Sequence, residues 1–485
     1  MRPAPRREWS LLPTKGRAQP QRHRRDAFAV VEIVKVNAVT TIPVSGVKPA
    51  AHAPPEPTEL RPLQLFWLAG AVFVVSAGYG ALMPLLPGWL GPLMPGAPAS
   101  EIARHVGLLS GVYAAGVLVG APLWGWVSDR VRRSRILLIG LIGYVASQLM
   151  QILPALFGVW GIYVLRAAAG FFVAAVVPVV AALVAKHTPT DGRARRFAWM
   201  SGVSLLGFLV GPALKGAADL LASLIGSAAL SPVVSARYVL GLSALLGGAM
   251  MLGLAGTLPA AHTAQPQNKA QANFNVCSDG NPAAPAPDHP AALLWLNAVL
   301  LFVLAAFELG IVLQGQQQAG QSSRQAAIMF AECSLVMLAV NVCLFLTSLL
   351  EKVSPRVLIG VGLVLAMAGL SVMAVQTSDA WMFLGVGMTA AGTGLVLPVI
   401  AYLAAGASPL KLGATMGGLA AAAGLGQTSG SAAGGWLFGA LAQFSFAWLA
   451  APLALMLALM MVRPSWWSLA AVPFAEPTAT RLPRV

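Results

Sequence analysis

Long apolar runs separated by short polar stretches make up most of this chain. From residue 63 onward each run lasts about 20 residues or more, the length an α-helix needs to cross about 30 Å of hydrocarbon. The pattern predicts twelve spans, at 63–87, 106–127, 136–156, 158–185, 196–218, 236–258, 292–314, 326–350, 356–376, 380–405, 413–439 and 443–463. The break near 157 is the least marked of them. Residues 1–61 are polar and rich in Pro and Arg, and are expected to form a disordered basic cytoplasmic tail. Residues 464–485 form a second cytoplasmic tail. A cytoplasmic linker at 259–291, rich in Pro, Ala, Asn and Gln, divides the spans six and six. The halves are therefore expected at 62–258 and 292–463. The expected fold class is an all-α polytopic membrane protein, with twelve transmembrane helices in two pseudo-symmetric six-helix halves.

Composition strengthens the membrane reading. The chain is 57% hydrophobic and 10% charged, against about 25% charged for an ordinary soluble domain. A net charge of +15 would suit nucleic acid if the basic residues shared one surface. They are instead sorted by topology, so no nucleic-acid partner is expected. With both termini in the cytoplasm, only Arg104, Arg237 and Arg324 fall on the outer side, and Arg166 and Lys215 fall within spans. Every other Lys and Arg lies in a cytoplasmic tail or loop, as the positive-inside rule requires. Trp67, Trp124, Trp126, Trp295, Trp466 and Trp467 sit near cytoplasmic span ends, and Trp89 and Trp381 near the other face. The three cysteines, Cys277, Cys333 and Cys343, have neither disulfide-framework nor zinc spacing, and no metal or cofactor is expected.

An internal repeat relates the halves. Val176-Val177-Pro178-Val179-Val180-Ala181-Ala182-Leu183-Val184-Ala185 matches Val396-Leu397-Pro398-Val399-Ile400-Ala401-Tyr402-Leu403-Ala404-Ala405. In the following spans Gly207, Gly211 and Gly216 match Gly426, Gly430 and Gly435. Two halves repeated in this way build a transporter with its site between them.

Four motifs stand on this frame. Between spans 2 and 3 lie Gly125, Asp129, Arg130 and Arg133, where Asp129 can accept backbone hydrogen bonds and pair with Arg130 or Arg133. Glu351, Lys352 and Arg356 look like a degraded copy. Span 4 carries Arg166-Ala167-Ala168-Ala169-Gly170. Span 5 carries Gly207, Gly211, Pro212, Lys215 and Gly216, in which glycines four apart admit a neighbouring helix and the proline bends the chain. Span 1 ends on Gly80, Pro84 and Pro87. Together these resemble the major facilitator superfamily (the MFS fold), and within it the twelve-helix drug:proton antiporters, over residues 63–463. The resemblance implies that the first motif latches a cytoplasmic gate, that Arg166 takes part in proton coupling, and that the span 5 motif belongs to an exporter. Arg132 stands where that pattern has glycine, Ser134 where it has a basic residue, and Lys215 where it has glycine. Lys215 is open to two readings, a snorkelling side chain or a substrate contact.

A proton-coupled carrier needs an acid that loads and unloads. Span 1 has none. The candidates are Glu308 in span 7, Glu332 in span 8 and Asp219 in span 5, since an acid held away from water prefers to keep its proton. Arg166 cannot deprotonate, and would tune a carboxylate or hold substrate. Tyr144, Gln148, Asn297, Gln314 and Asn341 are candidate cavity residues, and Gln151 and Phe171 are further polar and aromatic groups near the spans. No metalloprotease helix, nucleophile elbow or phosphate loop appears, so no enzyme is expected. The expected function is proton-coupled efflux of a small amphipathic or drug-like compound by alternating access. The alternatives are an importer or uniporter of a small metabolite or organic anion, and a transport-dead sensor. The expected setting is the cell inner membrane, with lipid, protons and a small-molecule substrate as partners, and a monomeric state.

Overall fold

Helix is the only regular structure among the described residues of the computed structural model, which describes 60–128, 130–187, 193–224, 232–257, 290–317, 323–347, 349, 353–406 and 412–462. Twelve helices exceed 17 residues: α1 (Pro62–Leu82), α2 (Ala99–Ser128), α3 (Arg133–Gln151), α4 (Pro154–Lys186), α5 (Arg193–Leu224), α6 (Pro232–Thr257), α7 (Pro290–Gln317), α8 (Ser323–Leu346), α9 (Pro355–Val375), α10 (Asp379–Gly406), α11 (Leu412–Leu441) and α12 (Ser445–Val462). Every expected span has its helix. Five of the twelve open on proline, which has no N–H to waste in a first turn. Nine stretches among the described residues are long and apolar enough to cross a membrane, and one of them, Gly417–Val462, holds both α11 and α12. Of the other two helices, α3 opens on Arg133 and Arg135, and the stretch of α5 with described side chains, Trp199–Leu214, is apolar but shorter.

The helix ends differ from the spans read from hydropathy. The division between spans 3 and 4 lies at Ile152 and Leu153, not near 157. Gly158 stands inside α4 at φ 62°, ψ −177°, a kink open to glycine and strained for other residues. Helix α2 begins at Ala99 and takes Glu101, Arg104 and His105 into its first turns. Hydropathy marks only the lipid-buried part of a helix, and these helices continue past it. Beyond α1, Pro84 and Pro87 each begin a new short helical turn, at Met83–Leu85 and Leu86–Leu90.

The described helices all lie in one compact unit, Glu56–Val485, and pair in two matching sets. In the first half α1 packs on α5 and α6, α2 on α4, and α3 on α4 and α6. In the second α7 packs on α11 and α12, α8 on α10, and α9 on α10 and α12. The halves meet along α2–α11 and, less extensively, α5–α8. Adding six to each helix number turns one set into the other, so the pseudo-symmetry is visible in the pairing alone. The most apolar 18 residues of the stretches containing α1 and α7 are each 72% buried, the highest share among the nine, so these mates are the inner helices. Outward, large apolar side chains such as Trp160, Val164, Leu252 and Trp448 are exposed, as lipid contact demands.

The paired helices touch through glycine. A Cβ on Gly207 of α5 would lie 2.6 Å from the Phe73 carbonyl of α1, and one on Gly211 would lie 2.8 Å from that of Ala77. In the other half Gly426 and Gly430 of α11 sit on the carbonyls of Ala298 and Phe302 of α7. Gly207 and Gly211 therefore do in one half what Gly426 and Gly430 do in the other.

Candidate functional site

Arg166 is among the largest fully buried side chains of the protein, with 2% of its surface exposed. Gly170, one turn on, explains how it is enclosed. The carbonyl of Tyr113 fills the place a Cβ on Gly170 would take, and Gly116 of α2 does the same for the Ala167 carbonyl of α4. With α2 and α4 this close, the Arg166 guanidinium lies over the Tyr113 ring, 4.7 Å from its centroid. Tyr79 of α1 stacks on Tyr113 at 5.1 Å and meets the edge of Phe208 of α5 at 5.6 Å. Tyr144 of α3 completes the ring of phenols within electrostatic reach of Arg166. A cation over an aromatic face gains about 0.5–2 kcal/mol, less than the several kcal/mol that enclosing an arginine away from water costs.

The Tyr144 hydroxyl is already committed. It lies 2.8 Å from Ser243 Oγ of α6, and Gln148 Nε2 donates to both oxygens at 3.3 and 3.4 Å. Gln151 Nε2 donates to the Ser147 carbonyl at 3.0 Å and to Gln148 Oε1 at 3.4 Å. Gly78 of α1 gives this pair its room, since a Cβ there would meet both Tyr144 and Ser243. Meanwhile Nε and Nη2 of Arg166 have no hydrogen-bond acceptor.

Glu308 lies in the other half, on inner helix α7. Ala298, Phe302 and Ala306 turn toward α11. Glu308, two residues beyond Ala306, points about 200° round the helix from that seam. It comes within electrostatic reach of Tyr79 and of Cys333 on α8. Tyr79 is thus within electrostatic reach of both Arg166 and Glu308. Glu332 faces α10, with Oε1 3.3 Å from a Cβ built on Gly387 and Oε2 buried without a hydrogen-bond partner.

The remaining candidates scatter. Asn297 donates to the Leu419 carbonyl at 2.9 Å and ties α7 to α11. Asn341 donates to the Met337 carbonyl of its own helix at 2.8 Å. Gln314 is buried with both ends of its amide unpartnered. Phe171 packs on Trp124, whose indole donates to the Phe171 carbonyl at 2.8 Å. Lys215, Gly216 and Asp219 lie on α5 with side chains outside the described residues, as do Asp129, Glu351 and Lys352 entirely. Tyr79, Tyr113 and Ser243 escaped the sequence reading. Their one signal is position: Tyr79 immediately precedes Gly80 of the span 1 motif.

That motif and the α5 motif turn out to be two faces of one joint. A Cβ on Gly80 would lie 3.0 Å from the Phe208 carbonyl, and one on Gly211 would lie 2.8 Å from the Ala81 nitrogen. Pro212 cannot donate to Phe208, four residues back, so that carbonyl is left facing Gly80. Ser76 and Ser204 hydroxyls, 2.9 Å apart, add a polar tie. At the end of α2, Gly125 has open space around it, and the Arg130 guanidinium lies 3.5 Å from the centroid of Trp126. Arg132 caps α3 at φ −55°, ψ 129°, a conformation that does not require glycine. Arg133 opens α3, and Arg356 donates to the Met460 carbonyl at 3.0 Å, joining α9 to α12.

Known proteins resemble this chain in sequence and in fold. The class C tetracycline resistance protein of Escherichia coli is 33% identical over 189 residues, 39% of this chain and 44% of that protein. The quinolone resistance protein NorA of Staphylococcus aureus is 30% identical over 153 residues, 32% of this chain and 37% of its own length. The matched stretch thus spans less than half the length of these curated relatives. Among solved structures, the human organic anion transporter MFSD10 superposes with a TM-score of 0.59 at 19% identity, covering 84% of this chain and 100% of that one. The inward-open xylose transporter XylE from E. coli gives 0.62 at 15% identity, covering 82% and 94%. At those identities the likeness is one of fold. The profile of the Major Facilitator Superfamily matches residues 68–386, well over half of the chain, and the chain belongs to that superfamily of membrane transporters.

Proposed function

We propose that this protein exports small amphipathic compounds in exchange for protons, by alternating access between its two six-helix halves. The observation that carries the reading is the chain of groups across the half boundary: Arg166 and Tyr113 of one half, Tyr79 shared, and Glu308 of the other. Glu308 loads the proton, and Arg166 with its tyrosines answers the change of charge. Glu332 and Asp219 are second candidates for the proton. The glycine joint of α5 on α1 lets the helices rock, and Gly125, Asp129, Arg130 and Arg133 latch the gate on the side of the α2–α3 loop. The sorting of basic residues supports an inner-membrane protein with both termini in the cytoplasm. The names of the relatives, resistance proteins for tetracycline and quinolones, support efflux rather than uptake.

The test is compound-induced proton movement in proteoliposomes carrying a pH-sensitive dye and an imposed proton gradient. Lipophilic cations, antibiotics and organic anions form the panel, with Glu308→Gln beside the wild type. Proton movement that depends on one compound and disappears in Glu308→Gln supports the proposal. Movement that persists in Glu308→Gln moves the proton to Glu332 or Asp219. No movement with any compound, from folded protein, overturns antiport.

A further inference from the structure

The two unpartnered nitrogens of Arg166 are not an arbitrary pair. Nε and Nη2 form one edge of the guanidinium and present two parallel N–H groups, the fork that fits a carboxylate in two hydrogen bonds. No described acceptor meets that edge. The guanidinium lies over the Tyr113 ring, with Tyr79 against Tyr113, and these groups offer ring faces and phenols rather than a formal negative charge. Tyr144 is spent on Ser243 and Gln148. Glu308 stands beyond Tyr79. Beside the guanidinium, the rings of Tyr79 and Tyr113 lie tilted together at 5.1 Å, and Tyr79 meets Phe208 edge-on.

We propose that the cargo itself supplies the missing counter-charge: a planar oxyanion, as in an aromatic carboxylic acid, docks on the Nε–Nη2 edge of Arg166, with its flat body against the tyrosine rings. The proposal rests on the transporter reading above and divides the labour within it. Arg166 holds the cargo's anionic end, which leaves Glu308 free for the proton. It also separates the cargo by class, since a lipophilic cation placed here would face a buried guanidinium.

The test compares three probes that share one ring system: 2-naphthoate, the neutral 2-naphthamide and the cationic 2-naphthylmethylammonium. Binding to the full-length protein in lipid nanodiscs is measured by titration calorimetry at neutral pH, without a gradient. Naphthoate is expected to bind about tenfold tighter than naphthamide, the value of one charge-assisted hydrogen-bonded contact, and the ammonium compound weakest. In Arg166→Gln the acid and the amide should bind alike. Arg166→Lys, which restores the charge without the fork, should regain only part of the preference. Equal binding of acid and amide to wild type, a preference for the ammonium, no binding of naphthoate, or a preference that survives Arg166→Gln would each overturn the proposal. The wild-type comparison decides even where a variant fails to fold. Because it needs no gradient, a standing acid preference beside failed proton coupling would sink the coupling and leave this site intact.

Discussion

One methyl group separates glycine from alanine, and at position 170 the Tyr113 carbonyl stands where that methyl would go. Gly170→Ala should push α2 off α4 and carry Tyr113 away from Arg166. We expect a loss of about 1–3 kcal/mol, read as a lower melting temperature in detergent, together with loss of transport. Gly125→Ala is the control, because nothing lies within 4 Å of its added carbon; its stability should stay within about 0.5 kcal/mol of wild type. Tyr113 itself separates ring from hydroxyl. Tyr113→Phe keeps a face over the guanidinium and should keep most transport, whereas Tyr113→Leu should lose it with Arg166 left uncovered. A transport assay in which Leu serves as well as Phe would discard the stacking argument. At this scale the sequence announced Arg166, Gly170 and Glu308, because a charge or a spaced glycine within an apolar run is visible locally. Tyr79 and Tyr113 were silent, since one aromatic among many apolar residues reads as core until its neighbours are known.

Between elements, the glycine spacing in α5 and α11 was legible and its object was not. Spacing is local to a helix; the carbonyls it must meet belong to α1 and α7, far away in the chain. The structure adds that the span 1 and α5 motifs are a single joint, with Gly80 on Phe208 and Gly211 on Ala81. Gly211→Leu and Gly430→Leu, one in each half, should therefore fail in the same way, by overpacking worth about 1–3 kcal/mol or more. Folded protein recovered from membranes, measured by size-exclusion profile, checks this; a normal profile for either variant would show that the two seams are not equivalent. Lys215 falls at the position where the second half has Gly434 resting on Ala306. Helix ends were the least readable feature. The polar first turns of α2 and the kink at Gly158 lie beyond what hydropathy can mark.

Across the whole molecule, the halves are joined most extensively along α2–α11, and that seam is also built on glycine. A Cβ on Gly439 would lie 2.8 Å from the Ser100 carbonyl, one on Gly435 would lie 2.7 Å from that of Ala103, and one on Gly111 would lie 3.0 Å from that of Thr428. If the halves rock as proposed, this seam must part in each cycle. A Leu118→Cys, Gly424→Cys pair, where a Cβ on Gly424 of α11 would lie 3.1 Å from that of Leu118 of α2, made with Cys277, Cys333 and Cys343 replaced by Ser, should stop transport on oxidation and recover it on reduction. Undiminished transport by the cross-linked protein would exclude movement at that end of α2. The repeat in the sequence foretold two halves, but not which helices join them, since that depends on contacts no single stretch contains. The seam also constrains how such a protein can change its diet. At Gly111, Gly435 and Gly439 only hydrogen fits, so a lineage adapting to a new compound has almost no freedom at those positions. Its room for innovation lies in the walls around Arg166, where rings such as Tyr79, Tyr113 and Phe208 can be exchanged without prising the halves apart. The joints are the inherited machine, and the aromatic lining is where selection can write a new preference.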